Sequence, residues 1–173
     1  NVEAEIQQQI EEVNPDALKT DFSKGEFAAP LEGQVVPISE VPDQVFAEKM
    51  MGDGFAIIPS EGIVASPVDG EILSIFPTKH ALAIKSDSGH ELLVHVGIDT
   101  VKLNGKGFET KVKEGDKITK GQILMEFDLD FIKSNATSII TPIVFTNLQA
   151  GEEIKLVKRG KVKLGEVHIV DIM

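Results

Sequence analysis

The chain has 173 residues, no Cys, no Trp, no Tyr and a formal net charge of -11. The lack of cysteine excludes a disulfide scaffold, a thiolate nucleophile and a cysteine-type zinc site. The acidic excess argues against a sequence-independent nucleic-acid binder, because contacts to phosphates need a basic surface. No apolar run is long enough to span a bilayer and no signal peptide is visible. Length and composition therefore predict one soluble domain with a short appendage.

Residues 1–20 are predicted to be a separate lead segment, either an acidic amphipathic helix or a linker. Its aliphatic residues recur at helical spacing: Val2, Ile6, Ile10 and Val13. Residues 1–16 carry several acidic residues and no Lys or Arg, which is unlike a helix that binds a membrane surface. Asn14-Pro15 ends the helical pattern. The main domain is predicted to cover residues 21–173.

From residue 27 onward, short β-rich runs alternate with turn residues, and helical periodicity almost vanishes. Many short strands at close spacing are typical of an antiparallel sandwich or barrel. The predicted strands cover residues 34–38, 55–58, 62–65, 71–75, 82–85, 91–97, 123–127, 139–146 and 167–172. Short helical turns are predicted near residues 43–49 and 129–135.

A weak internal duplication accompanies these strands. Residues 29–36 resemble residues 66–73, and residues 112–124 resemble residues 157–167. Each half would supply a turn into a strand and a glycine-bounded hairpin, since glycine allows the positive φ that such turns need. Lipoyl and biotinyl carriers show a similar hairpin, but their Met-Lys signature is missing. The predicted fold class is an all-β antiparallel sandwich or barrel with a duplicated hybrid motif, short helical turns and an N-terminal helix.

The most informative stretch is a hairpin whose two β-like runs flank the turn signal Ser86-Asp-Ser-Gly89. A two-residue or four-residue loop would place His80 directly opposite His95, with Leu82 opposite Leu93 on the same face. A three-residue loop would shift the register and is expected to put the two rings on opposite faces of the sheet. The pairing of the histidines is thus conditional on the loop.

Two facing imidazoles can bind a metal, act as a nucleophile with a phosphate-stabilising partner, or be ordinary polar surface. A neutral imidazole is a good nucleophile near pH 7, because its unperturbed pKa is about 6.5. A second histidine could hold phosphate oxygens, and a hydroxyl such as that of Thr78 could fix its tautomer. His90 and His168 are interpreted as structural residues.

The segment Gly89-His-Glu-Leu-Leu-Val-His-Val-Gly-Ile-Asp-Thr-Val101 resembles the active-site signature of the glucose-type enzyme IIA family of the bacterial phosphoenolpyruvate-dependent sugar phosphotransferase system. The resemblance extends to Val41-Pro-Asp-Gln-Val-Phe-Ala-Glu-Lys-Met-Met-Gly-Asp-Gly54 and Pro67-Val-Asp-Gly70, and covers roughly residues 27–170. It implies that the phosphorylated residue is His95. It further implies that His80 is the second active-site histidine, supported by Thr78.

The resemblance also implies the reaction and the partners. The domain would be a phosphotransferase that takes a phosphoryl group from the small carrier protein HPr. It would then pass the group to a cysteine of a IIB domain during sugar uptake and phosphorylation. No cofactor is expected beyond the covalently carried phosphoryl group, and zinc could bind at His80 and His95 only with a partner ligand. The expected location is the cytoplasm, with membrane contact only through a permease. Regulatory target proteins could also bind, but nucleic acid is not expected.

Family members have a shallow apolar depression around the histidine pair, where partners dock. Matching or nearby positions hold Val45, Phe46, Met51, Phe76, Leu82, Leu93, Val96 and Val101. The acidic residues in the same motifs are Asp43, Glu48 and Asp99. Asp43 and Asp99 are predicted at the rim, where they would meet basic groups of the carrier and tune the encounter rate.

Two alternatives remain open. His95-x3-Asp99 has the spacing of a metal-ligand pair, so a zinc hydrolase is conceivable. Such a site needs three protein ligands, and the His-x-His that usually completes it is missing. The other alternative is a regulatory IIA-like module of a sugar transporter, in which His80 and His95 serve only control by phosphorylation.

Overall fold

The computed structural model describes Phe22 and residues 25–173, so the predicted lead segment of residues 1–20 lies outside the described residues. The described residues form thirteen strands and a few short helices, which confirms the all-β prediction. Within this part of the chain, no helix is long and apolar enough to cross a membrane. The proposed domain boundary near residue 20 stays a prediction.

The strands are short and separated by glycine-rich turns. They are β1 (Gly33–Pro37), β2 (Asp53–Pro59), β3 (Ile63–Ala65), β4 (Gly70–Ile75), β5 (Ala81–Ser86), β6 (Glu91–His95), β7 (Phe108–Thr110), β8 (Lys117–Ile118), β9 (Ile123–Phe127), β10 (Thr141–Phe145), β11 (Ile154–Leu156), β12 (Gly160–Val162) and β13 (Val170–Ile172). The helices are α1 (Gln44–Ala47) and α2 (Leu129–Asn135), with 3-10 helices at Ile38–Glu40 and Thr100–Leu103. Both predicted helical turns are confirmed. Strands β7, β8, β11 and β12 were not predicted individually, because an alternating pattern cannot show in two or three residues.

The largest sheet has eight strands in the order β12-β1-β2-β10-β6-β5-β4-β8. All of its pairs are antiparallel. The order is symmetric about the β10–β6 pair, because β12, β1, β2 and β10 mirror β8, β4, β5 and β6. We call these sets the β1 half and the β4 half. The remaining strands form a three-stranded sheet, β3-β9-β7, and a two-stranded sheet, β11-β13.

Equivalent backbone hydrogen bonds confirm the duplication read from the sequence. The amide of Ala28 donates to the carbonyl of Pro67, and the amide of Ala65 donates to that of Pro30, both at 2.8 Å. The glycine hairpins attach in the same way. The amide of Ala29 donates to Glu166 O in one half, and that of Ser66 donates to Gln122 O in the other, again both at 2.8 Å. The two halves therefore share one backbone plan.

The large sheet buries apolar residues in two clusters. The main core includes Phe27, Phe55, Phe145 and the β5–β6 residues Leu82 and Val94. A smaller cluster includes Val36, Ile38, Val41, Phe46, Ala56, Ala81, Leu93, Ile98, Ile140 and Val144. Because neighbouring side chains of a strand alternate between faces, the main core receives Leu82 while the smaller cluster receives Leu93. The smaller cluster underlies the histidine pair described below.

The β5–β6 hairpin adopts the three-residue alternative, so its register differs by one residue from the one that places His80 opposite His95. Ala81 pairs with His95, Leu82 with Val94 and Ala83 with Leu93. The amide of Ser86 donates to the carbonyl of His90 at 2.8 Å, which leaves a three-residue loop closed by a left-handed Gly89. Glycine at the third loop position is a known way to close such hairpins. As a consequence, Leu82 and Leu93 lie on opposite faces, not on one.

Candidate functional site

The rings of His80 and His95 lie against each other, with centroids 4.8 Å apart and planes at 80°. His95 is the last residue of β6, on the side of the smaller cluster. His80 precedes β5, and its carbonyl accepts a hydrogen bond from the amide of Val96 at 2.8 Å. The preceding residue, Lys79, has a left-handed backbone with φ 61°. The sequence predicts that a three-residue loop puts the two rings on opposite faces, and this prediction is wrong. His80 lies outside β5, so strand alternation does not fix the direction of its side chain.

The backbone carbonyl of Gly97 fixes the tautomer of His95. It lies 2.7 Å from Nδ1 of that ring. A carbonyl oxygen can only accept, so Nδ1 carries the proton and Nε2 of the neutral ring keeps its lone pair. Gly97 has φ 73°, and a Cβ there would lie 2.7 Å from Thr100 Cγ2 and 2.9 Å from Ser138 O. Sequence reasoning missed this role of Gly97, although the His-x-Gly spacing was visible.

The loop that carries Gly97 is held on both sides. Thr100 is fully buried, and its hydroxyl donates to the carbonyl of Val96 at 2.7 Å. The amide of Ile98 donates to the carbonyl of Ser138 at 2.9 Å. The carboxylate of Asp99, a residue with left-handed backbone, accepts a hydrogen bond from the Thr137 hydroxyl. Thr100 and Thr137 were also missed, and no local signal in the sequence links Thr137 to this loop.

His80 is nearly enclosed, with only 4% of its surface exposed. Its Nδ1 lies 2.7 Å from the Thr78 hydroxyl oxygen, and the edge-on ring of Phe76 lies 5.4 Å away. A hydroxyl can donate or accept, so this contact orients the ring without dictating its tautomer. The Nε2 nitrogen is left for another ligand when Nδ1 is engaged by Thr78.

Burial lowers the pKa of both imidazoles. The pKa of His80 falls from 6.5 to about 4, chiefly through loss of solvation and then through the neighbouring His95, while a hydrogen bond with the Thr78 backbone opposes the shift. Burial also lowers the pKa of His95, against the opposing effects of the Gly97 carbonyl and the Asp43 and Asp99 carboxylates. Both rings are therefore neutral near pH 7, and a neutral ring is the form that can act as a nucleophile.

The predicted docking residues divide by exposure. Val45, Met51 and Val101 are exposed, Phe76 is half-buried, and Phe46 is buried with its ring 5.0 Å from that of His95. Met50, which was not predicted, is 69% exposed next to Met51. Val45, Met50, Met51 and Val101 thus form an apolar surface that is open to solvent, the kind of patch that marks an interaction site.

Three other predicted docking residues are buried. Leu82 is 0% exposed and Val96 is 1% exposed, and both belong to the main core. The prediction that they line a docking surface is wrong. The observed register turns Leu82 away from the site, and Val96 directly follows His95 and therefore points to the other face. Leu93 is 4% exposed and lies in the smaller cluster. It therefore supports the site from beneath, without reaching a partner.

The acidic residues of the same motifs have different surroundings. Asp43 caps α1, because its carboxylate accepts from the amide of Val45 at 2.9 Å. Asp43 and Asp99 both lie close enough to His95 to raise its pKa. Glu48 is exposed and accepts from the Gln44 side chain at 3.0 Å. Asp43 and Asp99 thus supply negative charge beside the histidine pair, whereas the Glu48 carboxylate is engaged by Gln44.

A zinc-hydrolase site would need three protein ligands. Among residues 25–173, no group of three or more His, Cys, Asp or Glu side chains could hold a metal ion. The Asp99 carboxylate, the proposed partner of His95 in that alternative, is engaged by Thr137. The described residues therefore give the zinc-hydrolase alternative no ligand set.

Comparisons with known proteins agree on one family. Residues 25–151 match the family described as phosphoenolpyruvate-dependent sugar phosphotransferase system, EIIA 1. The glucosamine-specific EIICBA component of Bacillus subtilis is 56% identical over 138 residues, which are 80% of this chain and 22% of that protein. The glucose-specific EIIA component of Staphylococcus epidermidis is 51% identical over 144 residues, 83% of this chain and 87% of that protein.

A solved structure, the glucose permease IIA from Mycoplasma capricolum, has a TM-score of 0.78 and 42% identity. The match covers 83% of this chain and 93% of that one. The chain spans only 18% to 22% of the EIICBA relatives that it matches. By family match, sequence identity and structure, the chain belongs to the EIIA 1 family of the phosphoenolpyruvate-dependent sugar phosphotransferase system.

Proposed function

We propose that this domain is a phosphohistidine carrier in which Nε2 of His95 accepts and returns the phosphoryl group. The observation that carries the proposal is the 2.7 Å contact between His95 Nδ1 and the Gly97 carbonyl. It leaves Nε2 with a lone pair in a neutral ring, which is the nucleophile that this transfer needs. The nitrogen–phosphorus bond of a donor phosphohistidine breaks as the bond to Nε2 forms, and no proton has to leave His95 first.

His80 is proposed to stabilise the transferring group. If the Thr78 hydroxyl donates to Nδ1, the proton of the neutral ring resides on Nε2, which can donate to a phosphoryl oxygen. The negative charge of the phosphoryl group would also raise the pKa of His80 from its low value of about 4. Transient protonation of His80 would then help to neutralise the oxygens during transfer. His80 therefore contributes mainly in the transition state, and His95 carries the bond.

The proposed partners follow from the surface around the pair. The exposed apolar side chains of Val45, Met51 and Val101 provide a shallow contact area, and Asp43 and Asp99 provide negative charge beside it. Such a surface suits a partner with a small apolar patch bordered by basic groups. We propose an HPr-like donor, and as acceptor a IIB domain whose cysteine thiolate attacks the phosphorus and releases His95. The EIICBA relatives, whose names join these components, support this choice of acceptor.

The test is phosphoryl labelling of the protein with phosphoenolpyruvate, enzyme I and HPr. His95→Ala should abolish labelling, whereas His80→Gln should still accept the group but pass it slowly to IIB. His168→Asn serves as a control, because His168 is exposed and asparagine tolerates its left-handed backbone. Labelling that survives in His95→Ala would refute the assignment. Labelling without any transfer to IIB in the wild-type protein would favour the regulatory alternative instead.

A further inference from the structure

A groove of about 610 Å³ lies on the β1 half, and none of its lining residues belongs to the histidine site. The apolar part of its lining consists of Ile58, Pro59 and Val162, of which only Ile58 is exposed. Lys158, Lys161 and Lys163 border it, together with Glu32 and Glu166. We call this feature the lysine groove. It combines an apolar strip with several cations, which is unusual on a chain whose formal charge is -11.

The cations of the lysine groove belong to a local basic run. Residues 155–163 contain Lys155, Lys158, Arg159, Lys161 and Lys163, all of them exposed. The Lys158 ammonium pairs with the Glu166 carboxylate at 2.5 Å. Within the described part of the chain, neither Lys161 nor Lys163 has a carboxylate within the 4.0 Å of an ion pair. Three lysines thus face two carboxylates at the groove, and the adjoining basic run adds Lys155 and Arg159, so positive charge is in excess on this surface.

The β4 half shows that the fold does not require this charge. In the β1 half, Gln34 pairs with Lys161 on one side and with Ile58 on the other. In the β4 half the equivalent residue is Glu71, which pairs with Lys117 and Lys85.

The charges of the β4 half are balanced along this row. Lys117 and Glu71 are 3.9 Å apart as an ion pair, and Lys85 pairs across the sheet with Glu91. Alternating charges of this kind compensate one another on a sheet surface. The β1 half replaces the acid by an amide and the second lysine by Ile58, which is 37% exposed. The same backbone arrangement thus carries a row of mutually balancing charges in the β4 half. In the β1 half it carries a row that is positive and partly apolar.

We propose that the lysine groove binds an acidic amphipathic segment of a partner protein. The carboxylates of the segment would pair with Lys161 and Lys163, and its aliphatic side chains would cover Ile58. A concave groove fits a peptide segment better than it fits a flat membrane. Nucleic acid is disfavoured by the acidic chain and by its lack of Trp and Tyr for base stacking. This proposal does not depend on the phosphocarrier function.

The test uses the full chain and three synthetic 12-residue peptides, followed by fluorescence anisotropy and by NMR. A glutamate–leucine peptide should bind, and its affinity should fall with salt, because the contact includes ion pairs. A glutamate–serine peptide of equal charge should bind more weakly, since it has no apolar side chains. A lysine–leucine peptide should not bind. Shifted NMR signals should map to residues 158–163 and Ile58, and not to His95.

Variants in the two halves provide matched controls. Lys161→Glu with Lys163→Glu should weaken binding at least about tenfold, since each position reverses a charge at the contact. Ile58→Lys, which introduces the residue found in the β4 half, should weaken it as well. Lys117→Glu, the equivalent of Lys161→Glu in the other half, should leave the affinity unchanged. All variants should keep the NMR signal dispersion of the wild-type protein, which shows that they fold.

Three outcomes would overturn the proposal. The first is that the glutamate–leucine peptide does not bind. The second is that Lys117→Glu weakens binding as much as the groove variants do. The third is that phosphatidylglycerol vesicles, and not the peptide, bind with the same dependence on Lys161 and Lys163. That last result would identify a membrane as the occupant of the groove.

Discussion

The two halves of the large sheet share a backbone plan but differ at the strand ends. By the register of the ladders, His80 and His95 of the β4 half correspond to Asp53 and Val144 of the β1 half. Asp53 is a structural residue, because its carboxylate accepts from the amides of Gly54 and Ile154, both at 2.8 Å. Val144 is buried in the smaller cluster. The two halves thus share their strand pairing but carry different side chains at equivalent positions near the strand ends. Those side chains form the histidine pair in the β4 half and have only structural roles in the β1 half.

The largest effect is expected at two equivalent glycines, whose substitution tests whether the two halves share one backbone arrangement. Gly33→Ala would bring a Cβ within 2.1 Å of Ile58 O, and Gly70→Ala within 2.0 Å of Lys85 O. Because each contact is with backbone of the adjacent strand, we expect both variants to lose about 3 kcal/mol of unfolding free energy. Urea denaturation measures the loss.

Gly160→Ala is the control for the two glycine variants. Its Cβ would meet nothing within 4 Å, so only the left-handed backbone costs free energy, about 1 kcal/mol. A large loss in only one of Gly33→Ala and Gly70→Ala would mean that the halves are not equivalent.

The next largest effect is expected from a substitution that affects only the β4 half. Gly97→Ala should displace the carbonyl that faces His95 Nδ1 and slow phosphoryl acceptance more than about tenfold, because transfer needs the Nε2 lone pair in place. The ¹⁵N chemical shifts of His95 should show a mixture of tautomers. Gly105→Ala is the matched control, since it lies in the same loop region at φ 86° but its Cβ would approach nothing closer than 3.8 Å. Unchanged ¹⁵N shifts in Gly97→Ala would contradict the positioning role.

The unfolding free energy is expected to depend on pH because of the histidines of the β4 half. The ring of His80 has a pKa of about 4 in the folded state and of 6.5 in the unfolded chain. The unfolded chain therefore binds more protons between these values, and stability falls as the pH drops from 6.5 to 4. The loss from His80 is at most about 3 kcal/mol, at 1.36 kcal/mol per pKa unit.

Urea denaturation between pH 7.5 and 4 measures this linkage. His80→Gln should flatten the slope of stability against pH. Part of the slope should remain, because burial lowers the pKa of His95 and His90 as well. An identical slope in His80→Gln and wild type would show that His80 is not the linked group.

The smallest expected effect swaps one residue between the halves. Gln34→Glu would give Lys161 the acidic neighbour that Lys117 has in Glu71. An exposed ion pair contributes little, so the unfolding free energy should change by less than about 0.5 kcal/mol. Binding of the glutamate–leucine peptide should nevertheless weaken, because the positive charge of the groove is partly cancelled. Unaltered peptide binding would argue that the groove charge does not matter.

The site was only partly predictable from local patterns. His80, His95 and Thr78 stand in motifs that point to them, and the structure brings all three together. The hairpin register was not predictable, because Ser86-Asp-Ser-Gly89 is compatible with loops of two, three or four residues. Leu82 was misassigned for that reason, since a shift of one residue moves a side chain to the other face. Val96 directly follows His95, so strand alternation alone would have placed it on the opposite face. Thr137 contacts Asp99 across 38 positions of sequence, a distance that no local pattern encodes.

The sequence alone determined the β-rich class, the duplication and the family resemblance, because alternation, turn glycines and motif order are local properties of the chain. Only the tertiary structure decided the register of the hairpin, the tautomer of His95 and the burial that keeps both imidazoles neutral. It also decided that Lys161 borders a partly apolar groove, whereas its counterpart Lys117 in the other half belongs to a row of balanced charges. These features depend on which distant segments meet, and desolvation and hydrogen bonding act only after those segments have met.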